Sequence, residues 1–468
     1  MHKSDIALIG LAVMGQNLAL NMAGKGLSVT VYNRTWEKTE AFMTGPAKGA
    51  SIIAAMDIKA CAASLKTPRI IFLMVKAGGA VDALLDEILP HLEPGDIVMD
   101  GGNSHYEDTA ARVLRLRDAG ISFLGVGVSG GEKGALLGPS IMPGGPREAW
   151  ERVAPILGAI AARTRDGRPC TGYMGRDGAG HFVKMVHNGI EYAVMQILAE
   201  AHDLLLRGHG MEASAQADLF DEWNSGKCAS YLLEITADVL RRRDAISDAP
   251  ILDVILDAAG SKGTGLWTSR SALTLGVPAT TITAAVEARM LSGMRKERQL
   301  AAPLLPGPRA NPLPVDRERL GRALFQATLT AYAQGFALMG AAEKAWEWGL
   351  DMAEIARVWQ EGCIVRAAFL DDIVHAFTSQ RTLENLLLAP VFDAPLASGH
   401  GALRQTVALA VEHGVPVPAL SAALAYYDGL RSARLPASLI QAQRDYFGAH
   451  GFERLDMPGT FHGPWEEE

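Results

Sequence analysis

Short apolar runs alternate with helix-like segments over the first part of the chain. The runs that read as strands are residues 5–9, 28–32, 69–75, 97–100 and 122–126. Each run is followed by a glycine-rich turn or by a segment whose apolar residues have helical spacing. This alternation predicts a parallel sheet covered by helices, in an α/β domain that ends near residue 178.

Helical periodicity dominates from about residue 180, and strand signals nearly vanish. The segment 223–228 (WNSGKC) recurs as 359–363 (WQEGC), and 231–235 (YLLEI) is echoed by 369–373 (FLDDI). Each copy follows an alanine-rich helical stretch. The repetition predicts a duplicated unit within a large all-α domain, and chance similarity between helices rich in Ala and Leu is the alternative.

The last part of the chain, from about residue 436, is polar, aromatic and rich in glycine and proline. Its segment 456–465 (DMPGTFHGPW) lacks the pattern of a buried helix. We expect either a disordered tail or a segment that docks on another surface, such as a partner subunit. The predicted divisions are therefore 1–178, 179–435 and 436–468.

The most informative stretch is residues 178–192 (GAGHFVKMVHNGIEY). On a helix, the spacing i, i+3, i+4, i+7 and i+8 puts five polar side chains on one face. They are Lys184, His187, Asn188, Glu191 and Tyr192. The remaining positions are mostly apolar, so we expect a buried helix whose polar stripe faces a cavity, with a solvated face as the alternative. Burial lowers the pKa of a lysine and raises that of a glutamate, which suits them to act as base and acid.

Residues 6–15 (IALIGLAVMG) read as a strand, a tight turn and the start of a helix. Gly10, Ala12 and Gly15 have the spacing of a dinucleotide fingerprint, with alanine in place of the central glycine. Small residues let the backbone approach a pyrophosphate, which rests on the helix N-terminus. The second strand ends in 33–35 (NRT), where an NAD site usually has an acidic residue. A guanidinium suits a 2′-phosphate, which favours NADP over NAD; an exposed turn arginine is the alternative.

Three further glycine-rich turns are candidates for binding a substrate. The segments 100–104 (DGGNS) and 126–132 (VGVSGGE) follow predicted strands, and their backbone N–H groups suit a carboxylate or a hydroxyl-rich ligand. The segment 260–265 (GSKGTG) lacks P-loop spacing, which argues against an NTPase. Lys262, Arg289 and Arg444 would hold a phosphate if the fold gathers them, although each alone is typical of a surface charge.

Composition narrows the partners and the compartment. The net charge of −8 argues against nucleic acid as a general partner. The four cysteines are far apart, which predicts no disulfide framework, no zinc site and a reducing compartment, the cytoplasm. The uncharged segment 323–342 is interrupted by polar residues, so we expect a core helix rather than a membrane span. We expect no metal, because His187 and Glu191 have no evident third ligand and Lys184 would repel a cation.

Together these motifs resemble those of the 6-phosphogluconate dehydrogenases, within the β-hydroxyacid dehydrogenase superfamily. The resemblance extends from 10–15 (GLAVMG) to 444–450 (RDYFGAH) and includes NRT, VSGGE, GPSIMPGG, KMVHNGIEY and SKGTG. It implies a Rossmann-like domain, a duplicated helical domain and a tail. The implied reaction is NADP-dependent oxidative decarboxylation of 6-phosphogluconate to ribulose 5-phosphate and CO2, with formation of NADPH, in the oxidative pentose phosphate pathway or in gluconate utilization.

The resemblance also implies roles for individual residues. Lys184 and Glu191 would be the catalytic base and acid. The implied NADP contacts are Gly10, Leu11, Ala12, Val13, Met14, Gly15, Asn33, Arg34, Thr35, Val75, Lys76, Ala77 and Asn103. The implied contacts to the sugar acid are Asn103, Ser129, Gly130, Gly131, His187, Asn188, Tyr192, Lys262, Arg289, Arg444 and His450. Arg444 and His450 would reach the neighbouring subunit's site, which implies a homodimer.

Some positions depart from the family pattern. Leu266 stands where the family often has lysine, Lys133 and Leu136 change a loop, and the tail ends in FHGPW rather than FHTNW. Two other functions remain as alternatives. One is a dehydrogenase acting on a small unphosphorylated hydroxy acid, against which the second repeat and the cationic residues argue. The other is an NADP-binding regulator, which would need neither Lys184 nor Glu191.

Overall fold

The structure is a computed structural model that describes residues 3–308 and 313–465. Its N-terminal part is a seven-stranded sheet. The strands are β1 (Ile6–Ile9), β2 (Val29–Tyr32), β3 (Ile52–Ala54), β4 (Ile70–Leu73), β5 (Ile97–Asp100), β6 (Ser122–Ser129) and β7 (Ser140–Gly144). The helices of this part are α1 (Val13–Gly24), α2 (Trp36–Thr44), α3 (Ile58–Ala63), α4 (Gly79–Ile88), α5 (Tyr106–Arg117), α6 (Gly131–Leu137) and α7 (Arg147–Ile160), with a 3-10 turn at Leu89–His91.

The strand order is β3-β2-β1-β4-β5-β6-β7, and the first six strands in the chain are parallel. Helices cover both faces of the sheet. Alternate residues of a buried strand therefore pack into two different hydrophobic clusters. Ile6 and Leu8 belong to one hydrophobic cluster, and Ala7 and Ile9 to the other. The predicted parallel α/β domain is therefore confirmed for these strands.

Two strands of this seven-stranded sheet were not predicted, and one of them corrects the expectation of a purely parallel sheet. β7 is antiparallel to β6 at the sheet edge, and its Ser140 pairs with Ser129, so β6 runs further than residue 126. Because β7 contains a proline and ends in glycine, it lacks the continuous apolar run from which the other strands were predicted. β3 has only three residues and exposes Ile53, so its apolar signal is weak.

The second part is helical. Its helices are α8 (Ala179–His209), α9 (Ala213–Trp223), α10 (Tyr231–Arg241), α11 (Ile251–Val254), α12 (Thr264–Thr274), α13 (Thr280–Gly293), α14 (Arg295–Ala301), α15 (Arg317–Trp346), α16 (Met352–Val358), α17 (Leu370–Ser379), α18 (Asp393–Glu412) and α19 (Pro418–Leu430), with 3-10 turns at Leu386–Leu388 and Pro390–Phe392. The long helices α8 and α15 pack against each other, and each is followed by two shorter helices. The two copies meet at a bridge between Ser230 and Ala367, next to the repeated segments. This arrangement agrees with the predicted duplication.

The tail is ordered in the part that the structure describes. It begins with α20 (Ala437–Gly448) and continues as a short antiparallel hairpin of β8 (Phe452–Glu453) and β9 (Thr460–Phe461). The buried Asp445 carboxylate accepts hydrogen bonds from four groups, which are the backbone N–H groups of Gly451 and Gly463 and the side chains of His462 and Trp465. The segment 456–465 is thus not helical, as expected, but it folds back on α20 instead of being disordered.

Glycines in β6 allow α8 to lie directly against the sheet. A Cβ on Gly127 would be 2.4 Å from the Cβ of Lys184, and a Cβ on Gly125 would be 2.8 Å from Nδ1 of His181. A Cβ on Gly180 would be 2.2 Å from the carbonyl oxygen of Gly125. Any side chain at these positions would separate the helix from the strand.

We therefore expect Gly127→Ala to move α8 away from β6 and to displace Lys184. The overpacking should lower the free energy of unfolding by about 1–3 kcal/mol and also reduce kcat. Chemical denaturation and steady-state kinetics measure both effects. Gly158→Ala in α7 is the matched control, since its Cβ would be 3.8 Å from the nearest atom of Pro169 and should cost no activity. A fully active Gly127→Ala enzyme would contradict the close-packing argument.

Candidate active site

A crevice opens where β1 and β4, neighbours in the sheet, lead to helices on opposite sides. Ligands of doubly wound sheets bind at such switch points, outside the carboxyl ends of the strands. A cavity of about 330 Å³ lies here. Among the implied cofactor contacts, it is lined by Gly10, Leu11, Ala12, Asn33, Arg34, Thr35, Val75 and Lys76. Val13, Met14 and Gly15 form the start of α1, Ala77 follows β4, and Asn103 follows β5.

The backbone at the end of β1 is shaped by two glycines. Gly10 has φ of 106°, and a Cβ on it would be 2.4 Å from the carbonyl oxygen of Met74. A Cβ on Gly15 would be 1.9 Å from the carbonyl oxygen of Gly10. The loop and the helix start therefore require glycine, and Ala12, at the N-cap of α1, has an ordinary extended conformation. This explains why alanine is tolerated at the central position of the fingerprint.

The end of β2 presents cations rather than a carboxylate to this cavity. Arg34 is exposed, and Lys38, which sequence reasoning missed, lines the same cavity one helical turn later on α2. The amide of Asn33 accepts a hydrogen bond from the Leu11 N–H at 3.0 Å and donates one to the carbonyl oxygen of Thr35 at 3.0 Å. Asn33 therefore joins the two loops and leaves Arg34 free to reach an anion.

The predicted polar stripe is buried in α8. His187 is completely buried, Lys184, Asn188 and Tyr192 are almost so, and the side chain of Glu191 retains 23% exposure. The prediction that this stripe is not a solvated helix face is confirmed. Because Glu191 is the most accessible of the five, the stripe leads from the protein interior towards solvent.

His187 is the centre of the stripe. Its Nδ1 lies 3.3 Å from Nζ of Lys184, 3.1 Å from Oδ1 of Asn188 and 3.9 Å from Oε2 of Glu191. Its Nε2 lies 3.1 Å from the hydroxyl oxygen of Ser129 at the end of β6. The imidazole thus connects the helical stripe to the glycine-rich turn of the first domain.

The pKa values of Lys184 and Glu191 are shifted in the predicted directions. Burial lowers the pKa of Lys184 to about 8, although the nearby Glu191 carboxylate opposes this shift. Burial raises the pKa of Glu191, and the positive charges of Lys184, Arg289 and Lys262 oppose that shift. The pKa of His187 is far below its ordinary value, because the ring is buried beside Lys184. The site therefore holds a neutral imidazole between an amine and a carboxyl group that both titrate nearer to neutrality.

Two cationic residues stand next to the exposed end of the stripe. The guanidinium of Arg289 on α13 stacks on the ring of Tyr192 at 3.5 Å and donates a hydrogen bond to the carbonyl oxygen of Gly260. Lys262 lies two residues before α12 and, with Arg289, acts electrostatically on Glu191. The structure therefore places two of the three cations of the phosphate hypothesis beside the stripe, whereas the third, Arg444, lies in the tail. Leu266, where the family often has lysine, is 43% exposed in the first turn of α12.

The second helical repeat contributes a wall that sequence reasoning missed. The Ile364 N–H lies 3.4 Å from the Ser129 hydroxyl, and the ring of the buried Trp359 packs edge-on against His187 at 5.6 Å. A Cβ on Gly130 would be 2.6 Å from the carbonyl oxygen of Gly362, so the loop after β6 is pressed against this repeat. The repeated motif 359–363 was the available signal, but its meaning depended on knowing what it packs against.

Arg444 and His450 lie in the tail, far along the sequence from the polar stripe of α8. Arg444 donates a hydrogen bond to Gln441, which in turn donates to the carbonyl oxygen of Gly451, next to His450. Both Arg444 and His450 are exposed. Gly463, where the family has threonine, contributes its backbone N–H to Asp445, so this departure leaves the tail's hydrogen bonds intact.

Within residues 3–308 and 313–465, no group of three or more His, Cys, Asp or Glu side chains has an arrangement that could hold a metal ion. Over the same ranges, no helix combines the length and apolar character needed to cross a membrane.

Comparisons with known proteins agree with this geometry. Residues 5–175 match the family described as the NAD binding domain of 6-phosphogluconate dehydrogenase, and residues 180–465 match the 6-phosphogluconate dehydrogenase C-terminal domain. The chain is 54% identical to the NADP(+)-dependent, decarboxylating 6-phosphogluconate dehydrogenase of Bacillus subtilis (strain 168), over 99% of this chain and 100% of that one. It is 49% identical to the decarboxylating 6-phosphogluconate dehydrogenase of Escherichia coli (strain K12), with 99% and 100% covered.

A solved structure gives the same result. The 6-phosphogluconate dehydrogenase of Plasmodium falciparum, studied in its apo form, with its cofactor NADP+ and with its substrate 6-phosphogluconate, superimposes with a TM-score of 0.93 at 40% identity. The match covers 98% of this chain and 100% of that chain. On these grounds the chain belongs to the 6-phosphogluconate dehydrogenase family.

Proposed function

We propose that this chain catalyses the NADP-dependent oxidative decarboxylation of 6-phosphogluconate to ribulose 5-phosphate and CO2, with formation of NADPH. The observation that carries the proposal is the buried stripe of α8, in which Lys184 has its pKa lowered and Glu191 has its pKa raised on one helix face. A base and an acid with displaced pKa values can carry out both proton transfers of this reaction without a metal.

Lys184 in its neutral form takes the proton of the C3 hydroxyl as the alcohol is oxidised to a ketone. NADP, when bound, would accept the hydride in this step. The resulting 3-keto acid loses CO2, because its carbonyl group accepts the electrons of the breaking bond, and Lys184, now protonated, donates a proton to that carbonyl oxygen. Glu191 then protonates the carbon that becomes C1 of the pentulose, and Lys184 takes back the proton of the enol hydroxyl, which gives ribulose 5-phosphate.

The residues present fit a dinucleotide. The turn after β1 is packed so closely at Gly10 and Gly15 that neither position accommodates a Cβ, and the cavity beside it is lined by Arg34 and Lys38. We assign the pyrophosphate to the turn at 10–15 and the 2′-phosphate to Arg34, supported by Thr35 and Lys38. The segment 75–77 and Asn103 complete the proposed cofactor contacts.

Arg34→Asp should reverse the preference between the two nicotinamides. Loss of a charged hydrogen bond, with repulsion added, should raise the KM for NADP roughly 10- to 100-fold, while NAD is affected far less. Initial rates with each cofactor measure the change. Lys48→Asp alters an exposed lysine of the same domain by the same charge and should leave the preference as it is. An unchanged preference in the Arg34→Asp enzyme would contradict the assignment.

We assign the carboxylate end of the sugar acid to Ser129, Gly130 and Gly131, and its hydroxyl groups to Asn103, His187 and Asn188. We assign the phosphate to Tyr192, Lys262 and Arg289, together with Arg444 and His450 of a second subunit. The cationic residues beside Glu191 support this direction of binding, because they are gathered at the more exposed end of the stripe. We assign residues 1–178 to cofactor binding, 179–435 to substrate binding and dimerisation, and 436–468 to contact with the partner subunit.

The tail supports a homodimer. It is internally tied by Asp445, yet several apolar side chains of α20 point outward, such as Leu439, Ile440 and Phe447, which are at least 60% exposed. A prefolded element with exposed apolar residues is typical of a surface that another chain covers. We propose that a second copy of this chain covers the exposed apolar residues of α20. We also assign the protein to the cytoplasm, because all four of its cysteines are free.

Subunit complementation tests whether the tail acts on the neighbouring site. Arg444→Ala subunits keep Lys184 but lack the tail cation, whereas Lys184→Met subunits have the opposite defect. After dissociation and mixing, half of the dimers should be mixed, each with one intact site, so that about a quarter of wild-type activity returns. Each variant refolded alone is the control. No gain of activity in mixed dimers would contradict action in trans.

The reaction itself is tested by following NADP reduction and CO2 release in parallel on 6-phosphogluconate. We expect equal amounts of both products and a clear preference for NADP over NAD. Turnover of a small 3-hydroxy acid, without turnover of 6-phosphogluconate, would transfer the function to the related dehydrogenases. Binding of NADP without turnover of either acid would favour a regulator.

A further inference from the structure

Asp100, the last residue of β5, has a completely buried carboxylate. One of its oxygens accepts a hydrogen bond from the Gly102 N–H at 2.9 Å, and the other accepts one from the Ser104 hydroxyl at 2.5 Å. These two residues flank Asn103, whose side chain is exposed. The carboxylate therefore fixes the chain on both sides of Asn103.

The surrounding backbone restricts the same loop. The Gly101 N–H donates a hydrogen bond to the carbonyl oxygen of Leu73 at 2.8 Å, which ties the loop to the end of β4. A Cβ on Gly102 would lie 3.1 Å from both the Asp100 carboxylate and the carbonyl oxygen of Val75. The main chain is thus held between β4 and the carboxylate, and it leaves Asn103 at the edge shared with the cofactor turn.

A buried histidine connects this strand end to the catalytic helix. Burial lowers the pKa of His181, so the ring is neutral. Its Nε2 lies 3.1 Å from the backbone carbonyl oxygen of Asp100, and its Nδ1 lies 2.7 Å from the Thr109 hydroxyl. Because a carbonyl oxygen only accepts, Nε2 carries a proton and donates it to the carbonyl oxygen of Asp100. Lys184 follows His181 by three residues on α8, so this contact also sets the position of Lys184 relative to the loop.

The charge of the carboxylate is compensated from outside the loop. Nη1 of Arg112 on α5 lies 3.8 Å from the Asp100 carboxylate, while its other nitrogens form a bidentate pair with Asp82 on α4. A carboxylate at this point can accept from both donors at once. An amide in its place has only one acceptor atom, so Ser104 would have to accept instead of donate, and Arg112 would lose the negative charge that faces it.

We propose that Asp100 is a positioning residue for Asn103. Its carboxylate holds the Asn103 loop, which the backbone carbonyl group of Asp100 links through His181 to the helix that carries Lys184. The inference deepens the proposed function, on which it rests, because that function assigns Asn103 to both NADP and the sugar acid. Asp100 acts from behind the loop, so that a single buried group holds the residue that both ligands share. Loss of this hold should therefore weaken the use of both ligands together.

Asp100→Asn tests the proposal with a change that keeps the shape of the side chain. We expect kcat/KM to fall about tenfold or more for 6-phosphogluconate and for NADP, mostly through KM, in enzyme whose active fraction has been titrated. The deciding measurement is a double-mutant cycle with Asn103→Ala. If Asp100 acts through Asn103, the double variant should be no worse than the worse single variant, within about twofold.

A second double-mutant cycle with Arg34→Ala is the matched control. Arg34 lies at the end of a different strand, so the factors by which Arg34→Ala and Asp100→Asn lower kcat/KM should multiply in the double variant. If the losses of Asp100→Asn and Asn103→Ala multiply in the same way, Asp100 stabilises the domain in general and the proposal is overturned. Should Asp100→Asn not fold, Ser104→Ala, which removes one donor only, takes its place in both cycles. Unaltered KM values in Asn103→Ala alone would overturn the role of Asn103 and with it this inference, whereas an inactive wild-type enzyme would overturn the function itself.

Discussion

Replacing Lys184 by methionine should lower kcat/KM by about 10²–10⁴-fold, the range expected for loss of a positioned base. The pH profile should change as well. Neutral Lys184 is the reactive form, so wild-type kcat/KM should rise with pH as the amine loses its proton around its pKa of about 8. This rise should be absent in Lys184→Met, because methionine does not titrate. Steady-state rates between pH 6 and 9, with NADP affinity measured by fluorescence, check both expectations.

The fold should survive this substitution. Lys184 is buried between α8 and β6, and burial opposes its charged form, so an apolar side chain of similar length should not lower the melting temperature. Lys59→Met, which alters an exposed lysine of α3, is the control and should retain full activity. A Lys184→Met enzyme that keeps both its rate and the rise with pH would remove Lys184 from the mechanism.

Glu191→Gln should slow turnover by a similar factor, about 10²–10⁴-fold, but at a different step. Because Glu191 acts after decarboxylation, the first turnover should still produce NADPH in a rapid burst of about one equivalent per site, and the steady-state rate should then be low. In D2O, the wild-type enzyme should place deuterium on one face of C1. The variant should lose this selectivity, because solvent would then deliver the proton.

The control for this experiment is Glu287→Gln, which changes an exposed glutamate of α13 in the same domain. It should retain the rate, the burst and the stereochemistry of the wild-type enzyme. NADP should bind equally well to all three proteins, since Glu191 is not among the residues that line the dinucleotide cavity and its proposed role is at the sugar acid. Equal burst and steady-state rates in Glu191→Gln, with selective deuteration retained, would contradict the proposed acid.

The architecture was largely predictable because its signals are local. Buried parallel strands appear as continuous apolar runs, and five strands and the long helix α8 were found where these patterns predicted them. The two missed strands show the limit of that signal. β7 is stabilised by its antiparallel pairing with β6 rather than by its own composition, and β3 exposes part of its apolar surface. Edge strands depend on a partner that a local pattern does not contain.

The tail shows the same limit. The sequence indicated only that 456–465 is not a buried helix, and it left disorder and docking as alternatives. The order of this segment comes from Asp445, whose carboxylate accepts hydrogen bonds from His462 and Trp465, seventeen and twenty residues later. The chain leaves α20 at Ala449, which adopts a left-handed conformation, and all four donors to this carboxylate come from later residues.

By itself, the sequence determined which groups share a surface over short distances along the chain. The pitch of an α-helix is fixed by covalent geometry and backbone hydrogen bonding, so the spacing of Lys184, His187 and Glu191 was sufficient to place them on one face. The glycines after β1 were informative for the same reason, since their steric freedom is a local property. These two local features contained the chemistry of the proposed reaction.

Only the tertiary structure decided what surrounds that face. It brought Ser129 to His187, placed Ile364 of the second repeat beside Ser129, and stacked Arg289 on Tyr192. Residues 129 and 364 are 235 positions apart in the chain, and their approach depends on how two domains pack together. The shifts in pKa depend on the same packing, because burial is a property of the neighbours and not of the residue. The sequence therefore named the reacting groups, and the packing of distant segments gave them their reactivity.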